Sequence, residues 1–243
     1  MQSRNYIATI ILAISLFAIN TSRAQYVLNE ADKNYELYNY KKAIDLYEQA
    51  YQKKQTLYAA EKLGECYSLV NNSIEAESWY GIAVKMPNSK PENILSYAKA
   101  LQRNAKYSEA KDQFQQYAKA QKEVTAKQLN LWVASCDSAA VWMKDPKKIN
   151  IANEAKLNSP QSDWGAGWHL NKLVYASDRA HVGDDKENGS RPFLKFDTGE
   201  KPSKTVSGWT GRSYLRLYTG TDTAAKFPIA AGTSYHIGAP SFA

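Results

Sequence analysis

Four columns of residues recur at a step of 33 and then 34 positions. Ala31, Gly64 and Ala98 form the first column, and Ala43, Ala76 and Ala110 the second. Tyr47, Tyr80 and Phe114 form the third, and Ala50, Ala83 and Tyr117 the fourth. Three of the columns fall in one phrase per repeat: KKAIDLYEQA, IEAESWYGIA and SEAKDQFQQY. A small side chain lets two antiparallel helices approach closely, and an aromatic four residues on fills the groove beside it. Asn39, Asn71-Asn72 and Asn104 mark the turns between paired helices, and Pro87 with Pro91 ends the second repeat. One hairpin cannot bury its own apolar face. Residues 26–119 are therefore expected to stack as three hairpins around a continuous core.

A further helix is expected from Thr125 to Met143. Leu129, Trp132, Val133, Cys136, Ala140 and Met143 recur at three- and four-residue steps and make one apolar face, suited to cap the last repeat. Asp145-Pro146 stops it. The tyrosines at 35, 38, 40, 47, 51, 58 and 67 are mostly expected in the repeat core, with an exposed few left for a protein-binding groove. Asn34, Tyr67 and Leu101 share one column on the first helix of each pair. They are the candidate protein-binding residues, and the same column also suits packing between repeats. The register resembles the tetratricopeptide repeat. That resemblance spans about residues 26–119 and implies a solenoid whose first helices grip helical or extended peptide partners.

The first 24 residues read differently. Arg4 precedes an apolar run from Ile7 to Ile19, and Ser22-Arg23-Ala24 places small residues before Gln25. This order predicts a secretory signal peptide over residues 1–24. The run is shorter than the roughly 20 apolar residues a spanning helix needs, and no second such run follows, so no transmembrane segment is expected in the mature chain. No cysteine follows the run to carry a lipid. Net charge is +7, with the basic residues spread as isolated pairs such as Lys41-Lys42 and Lys147-Lys148. No stripe for phosphate backbones results, and no nucleic-acid partner is expected. Cys66 and Cys136 sit two repeats apart on helices, too far for a bridge, and read as small buried hydrophobes.

After Pro146 glycine and proline become frequent and short alternating runs appear, at 172–176, 193–196 and 214–218. The phrase LNSPQSDWGAGWHLNKLVYASDR, with Asp163-Trp164-Gly165 as a turn and Ser177-Asp178-Arg179 ending a buried strand, resembles the opening of a blade in WD-repeat-like propellers of bacterial envelope proteins. His236-Ile237-Gly238-Ala239 echoes residues 163–166 at an offset of 73, which implies an insertion over 180–213 and a second blade just beginning. The fold expected is α and β in separate domains: a signal peptide at 1–24, a capped repeat domain at 25–145, and an incomplete β-propeller of about one blade at 146–243. The chain then reads as the front of a longer protein.

Residues for chemistry are few. His169, His181 and His236 make no metal pair or nucleophile partnership, and His169 and His236 fall at turn positions of the two blade openings. Asp184 to Gly189 has the flavour of a calcium loop, but Lys186 and Lys195 stand where ligands belong. Asp178 and Arg179 are expected to tie strands by charge-assisted hydrogen bonds. The expectation is a chain without catalytic residues, cofactor or metal.

The order of signal peptide, helical repeats, a cap reading ASCDSAAVWMKDP and propeller blades resembles OmpA-family envelope proteins of the Bacteroidetes, among them the periplasmic subunit of type IX (Por) secretion. That resemblance implies an exported, periplasmic, outer-membrane-associated scaffold that binds envelope proteins through its repeat groove. Peptidoglycan would be bound only through a C-terminal domain not among these residues. The alternatives are the front of a propeller-bearing hydrolase or peptidase, and a surface nutrient-binding protein.

Overall fold

The computed structural model describes residues 25–179, 203, 206–220, 223–229 and 236–242. The chain divides into two compact units, Met1–Lys147 and Lys148–Ala243. The segment 1–24, expected to be a signal peptide, lies outside the described residues.

The described part of the first unit is built from helices. Helix α1 covers residues 25–36. It is followed by α2 (Tyr40–Lys53), α3 (Leu57–Leu69), α4 (Ser73–Ala83), α5 (Pro91–Arg103), α6 (Tyr107–Ala120) and α7 (Ala126–Lys144). The pairs α1/α2, α3/α4 and α5/α6 are the three expected hairpins, each packed on the next. Ala31, Ala43, Ala76, Ala83, Ala98, Ala110, Tyr47 and Phe114 are all buried. The packing reason is visible at Gly64, where an added Cβ would stand 2.8 Å from the Tyr80 ring. Thr56, Asn72 and Thr125 cap α3, α4 and α7 by accepting from the amide three residues on. Pro91 occupies the first turn of α5, where no amide donor is needed.

The turns repeat as faithfully as the core. Tyr38, Asn71 and Ala105 are all left-handed, with φ of 58°, 60° and 59°. After each, an amide reaches back five residues: Asn39 to the Asn34 carbonyl, Asn72 to that of Tyr67, and Lys106 to that of Leu101. This is the six-to-one closure of a Schellman motif, and it sets the angle between the helices of each pair. The expected asparagines do mark these turns, but only Asn71 takes the left-handed position itself.

Helix α7 covers the last hairpin with Leu129, Trp132 and Cys136, and Trp132 stacks on Phe114 at 5.2 Å. The expected apolar face does not hold to its end. Met143 is 60% exposed, alongside Val141 and Trp142, because a 19-residue helix outruns the 14-residue α6 that it packs on. Cys66 and Cys136 are buried free thiols in separate core clusters.

The second unit holds a four-stranded antiparallel sheet in the order β1 (Asp163–His169), β2 (Lys172–Ser177), β3 (Arg216–Gly220) and β4 (Ala225–Lys226). Asp163-Trp164-Gly165 is not a turn before the strand. It lies inside β1, where the register shifts between Trp164 and Gly167 and Gly165 takes φ +66°. Glycine at a bulge removes the steric penalty of that backbone. The turn comes later, at Leu170 and Asn171, both left-handed, as a two-residue hairpin requires. Leu157, Tyr175 and Tyr218 cluster on one side, and Val174, Ala176 and Leu217 on the other. Residues 236–242 pack on the latter side: Ile237 and Phe242 join it, and the Ile237 amide donates to the Leu215 carbonyl at 3.0 Å. The expected strand at 214–218 begins two residues later, and the run at 193–196 lies outside the described residues.

Candidate interaction face

The first helices of the hairpins are tied to one another by side chains that cross from repeat to repeat. Between α1 and α3, Tyr58 donates to Asp32 at 2.8 Å and Tyr35 to Glu65 at 2.6 Å. Lys62 pairs with Glu65 at 3.0 Å and sits 3.8 Å above the Tyr35 ring. Between α3 and α5, Asn93 donates to Glu61 at 2.7 Å and Arg103 to the Ser68 hydroxyl at 3.1 Å. Between α5 and α7, Gln102 donates to Ser135 at 2.8 Å. Four helices thus form one braced layer with polar and aromatic side chains along it.

The second helices are fastened to this layer from behind. Tyr47 donates to Asp32 and Tyr67 to Glu48, both at 2.6 Å. Glu77 accepts from Lys106 at 2.6 Å and from Asn104 at 2.7 Å. Burial works to raise the Glu77 pKa, but these two donors outweigh it and hold the carboxyl below its ordinary range. The phenols move the other way. Burial first, then the Asp32 carboxylate, pushes Tyr58 up to about 12, and burial pushes Tyr80 up to about 12. Tyr35, Tyr47 and Tyr67 are raised further by burial and their carboxylate partners. All five therefore stay protonated at neutral pH. Tyr35, Tyr47, Tyr58 and Tyr67 serve as donors to carboxylates.

The candidate column splits by burial. Asn34 and Leu101 are 2% exposed, and the Asn34 side chain is spent on the Glu30 carbonyl and on Asn39. Tyr67 is half-buried with its hydroxyl on Glu48. What the three share is backbone: their carbonyls close the three Schellman turns. The column recurs because the turn recurs.

Among the described residues, a cleft of about 280 Å³ opens between α3, α4 and α5, lined by Ser68, Ser73, Tyr80, Ser96, Lys99 and Arg103 over a floor that includes Ala76 and Ala100. Sequence reading missed it. The signal was present in the four-residue spacing of Lys99 and Arg103, which puts two cations on one side of α5, with Ser96 a turn before them.

Tetratricopeptide-repeat domains are what the helical unit is similar to. The first such domain of Spaghetti (RPAP3), bound to the HSP90 peptide SRMEEVD, is 17% identical with a TM-score of 0.43; the match covers 49% of this chain and 93% of that one. The Sgt2 domain from Aspergillus fumigatus is 16% identical with a TM-score of 0.42, covering 54% of this chain and 89% of that one. No protein-family model matches the sequence, and no curated protein is significantly similar to it.

In the sheet unit, Arg179 is the hub that the sequence anticipated. It pairs with Asp163 at 2.7 Å, donates to the Leu157 carbonyl at 2.7 Å, and lies 4.6 Å from the Tyr218 ring centre. Asp178 accepts from the Ser162 amide at 2.8 Å and meets Arg212 at 3.1 Å. Both residues tie the ends of strands together. His169 ends β1 and stacks on Phe242 at 4.4 Å, and His236 accepts from the Leu215 amide at 3.0 Å. Both histidines are occupied in packing and turn contacts. His181 and the acidic loop 184–189 lie outside the described residues. No described helix is long and apolar enough to cross a membrane.

Proposed function

We propose that this chain is a non-catalytic scaffold of the bacterial cell envelope, which holds partner proteins against the layer formed by α1, α3, α5 and α7. The observation that carries the reading is the bracing of those helices from repeat to repeat, which makes a preorganised surface and lowers the ordering cost of binding. The sheet unit is proposed as the first blade of a propeller. Its four-stranded meander supports this, as does the placement of residues 236–242, an echo of β1's own start, on one side of the sheet. In the fuller proposal the chain is the front part of an exported, OmpA-family protein of the Bacteroidetes type, serving type IX secretion or envelope anchoring.

The test is site-specific photo-crosslinking in cells of the source organism. Probes at Tyr58 and Lys99, on the first helices, should trap defined envelope proteins. Probes at Lys53 and Lys119, exposed on the second helices, should not. Equal trapping from both sets, or a chain retained in the cytoplasm on fractionation, defeats the proposal.

A further inference from the structure

The cleft between α3, α4 and α5 collects donors and cations without a carboxylate to neutralise them. Two positive side chains, Lys99 and Arg103, stand at its mouth, and hydroxyls of Ser68, Ser73, Ser96 and Tyr80 line it. The nearby acids are committed elsewhere: Glu77 to Lys106 and Asn104, Glu65 to Lys62 and Tyr35. Arg103 holds only the Ser68 hydroxyl, and Lys99 has no salt-bridge partner among the described residues.

We infer that this cleft is a binding site for a phosphate group, carried as free phosphate or as a phosphate monoester. The donor set decides the chemistry. Guanidinium, ammonium and hydroxyl groups line the cleft from three helices, with Ser96 bonded to Tyr80 and Ser68 accepting from Arg103, a set that suits an oxyanion with acceptors in several directions better than a two-oxygen carboxylate. The volume of about 280 Å³ falls just below the range of about 300–1,000 Å³ usual for small-molecule pockets, so a head group fits and a large ligand does not. Small residues create the space, since Ala76, Ala100 and the serines leave open what longer side chains would fill. Nothing in this assignment depends on the envelope reading.

Titration of the isotopically labelled full chain by NMR tests it, with sodium phosphate and glycerol phosphate as probes and sodium acetate as control, all at constant ionic strength. Both phosphate probes should shift the Ser68, Ser96 and Lys99 amides saturably, and Lys99→Gln/Arg103→Gln should weaken binding at least tenfold. Both side chains are exposed, so this variant should fold; Arg103→Lys, which keeps the charge and loses the planar fork, should fall between. Saturation by the monoester alone supports a head-group ligand, and saturation by both supports the phosphate itself. The site is refuted if neither probe saturates, if the double variant binds within twofold of the parent, or if acetate binds as tightly as phosphate.

Discussion

An added Cβ on Gly64 would stand 2.8 Å from Cδ1 of Tyr80 and 2.9 Å from Cε1, closer than real side chains approach. Gly64→Ala therefore sets two effects against each other. Alanine favours the helix by about 1 kcal/mol. Overpacking a core contact costs about 1–3 kcal/mol, and the added Cβ would also stand 3.0 Å from Tyr80 Cγ, next to that residue's backbone, so rotating the ring alone does not clear it. The clash should win, lowering the thermal midpoint of the helical unit. Gly81→Ala is the control, because its Cβ would meet only the edge of Tyr97 at 3.2 Å. That variant should melt at or slightly above the parent midpoint by circular dichroism.

The three left-handed turns make a prediction of opposite sign. A left-handed backbone costs a non-glycine residue about 1–2 kcal/mol, and glycine loses roughly 0.5–1 kcal/mol of chain entropy instead. Ala105, at φ 59°, has no side-chain bond to compensate. Ala105→Gly should stabilise the helical unit by about 0.5–1 kcal/mol, read as a shift in denaturation midpoint with unchanged slope. A loss of stability would mean that the Lys106–Leu101 closure does not persist in solution.

Much of this architecture was written in side-chain volume. The columns at 31/64/98 and 43/76/110 are small because helices touch there, and any reader of residue size finds them. The turn geometry was half legible: asparagine at 71 marks it, whereas Tyr38 and Ala105 hide the same conformation behind residues that seldom adopt it. The Asn34, Tyr67 and Leu101 column was legible as a repeat and opaque as to cause, since backbone carbonyls carry no sequence signature. The cleft at Lys99 and Arg103 was legible only as two cations on one side of a helix. It arises from three elements meeting, and spacing on one helix does not report what the other two leave unfilled. In the sheet unit, Asp163-Trp164-Gly165 reads like a turn because glycine serves bulges and turns alike.

Cys66 offers a probe of the core. It is fully buried, and burial, with a smaller push from Glu65, raises its thiol to about 12. Thiolate is the reactive form. Labelling by a disulfide reagent at pH 8 should therefore be slow in the folded chain and rapid in denaturant. Rapid labelling of a Cys136→Ala variant under native conditions would show that the α1–α3 core opens locally. Cys66→Ser should cost about 1–3 kcal/mol, by placing a hydroxyl in the apolar core cluster of the first repeats.

The sheet unit should depend on pH through Asp163. Burial raises its pKa, but hydrogen bonds from Ser177, Arg179 and Ser159 outweigh burial and hold the carboxyl below its ordinary value. A depressed carboxylate contributes stability above its unfolded-state pKa, about 3.9, and that contribution drains away as pH falls through the lower folded value. Tryptophan fluorescence of the sheet unit should thus report unfolding that steepens below about pH 4. Asp163→Asn removes this dependence and should leave a flatter acid limb. It should also cost stability at neutral pH, because Arg179 then keeps its buried guanidinium beside Leu157 and Tyr218 without a counter-charge. Breaking one partner of a buried pair costs about 3–5 kcal/mol, and the side chains here, 17% and 9% exposed, place the loss towards the lower end. Arg179→Gln should lose a similar amount at pH 7 and converge with the parent in acid, where the protonated Asp163 no longer needs the cation. If both variants keep the parent's acid limb, the pair does not hold the strand ends together, and the pH dependence belongs to other carboxylates.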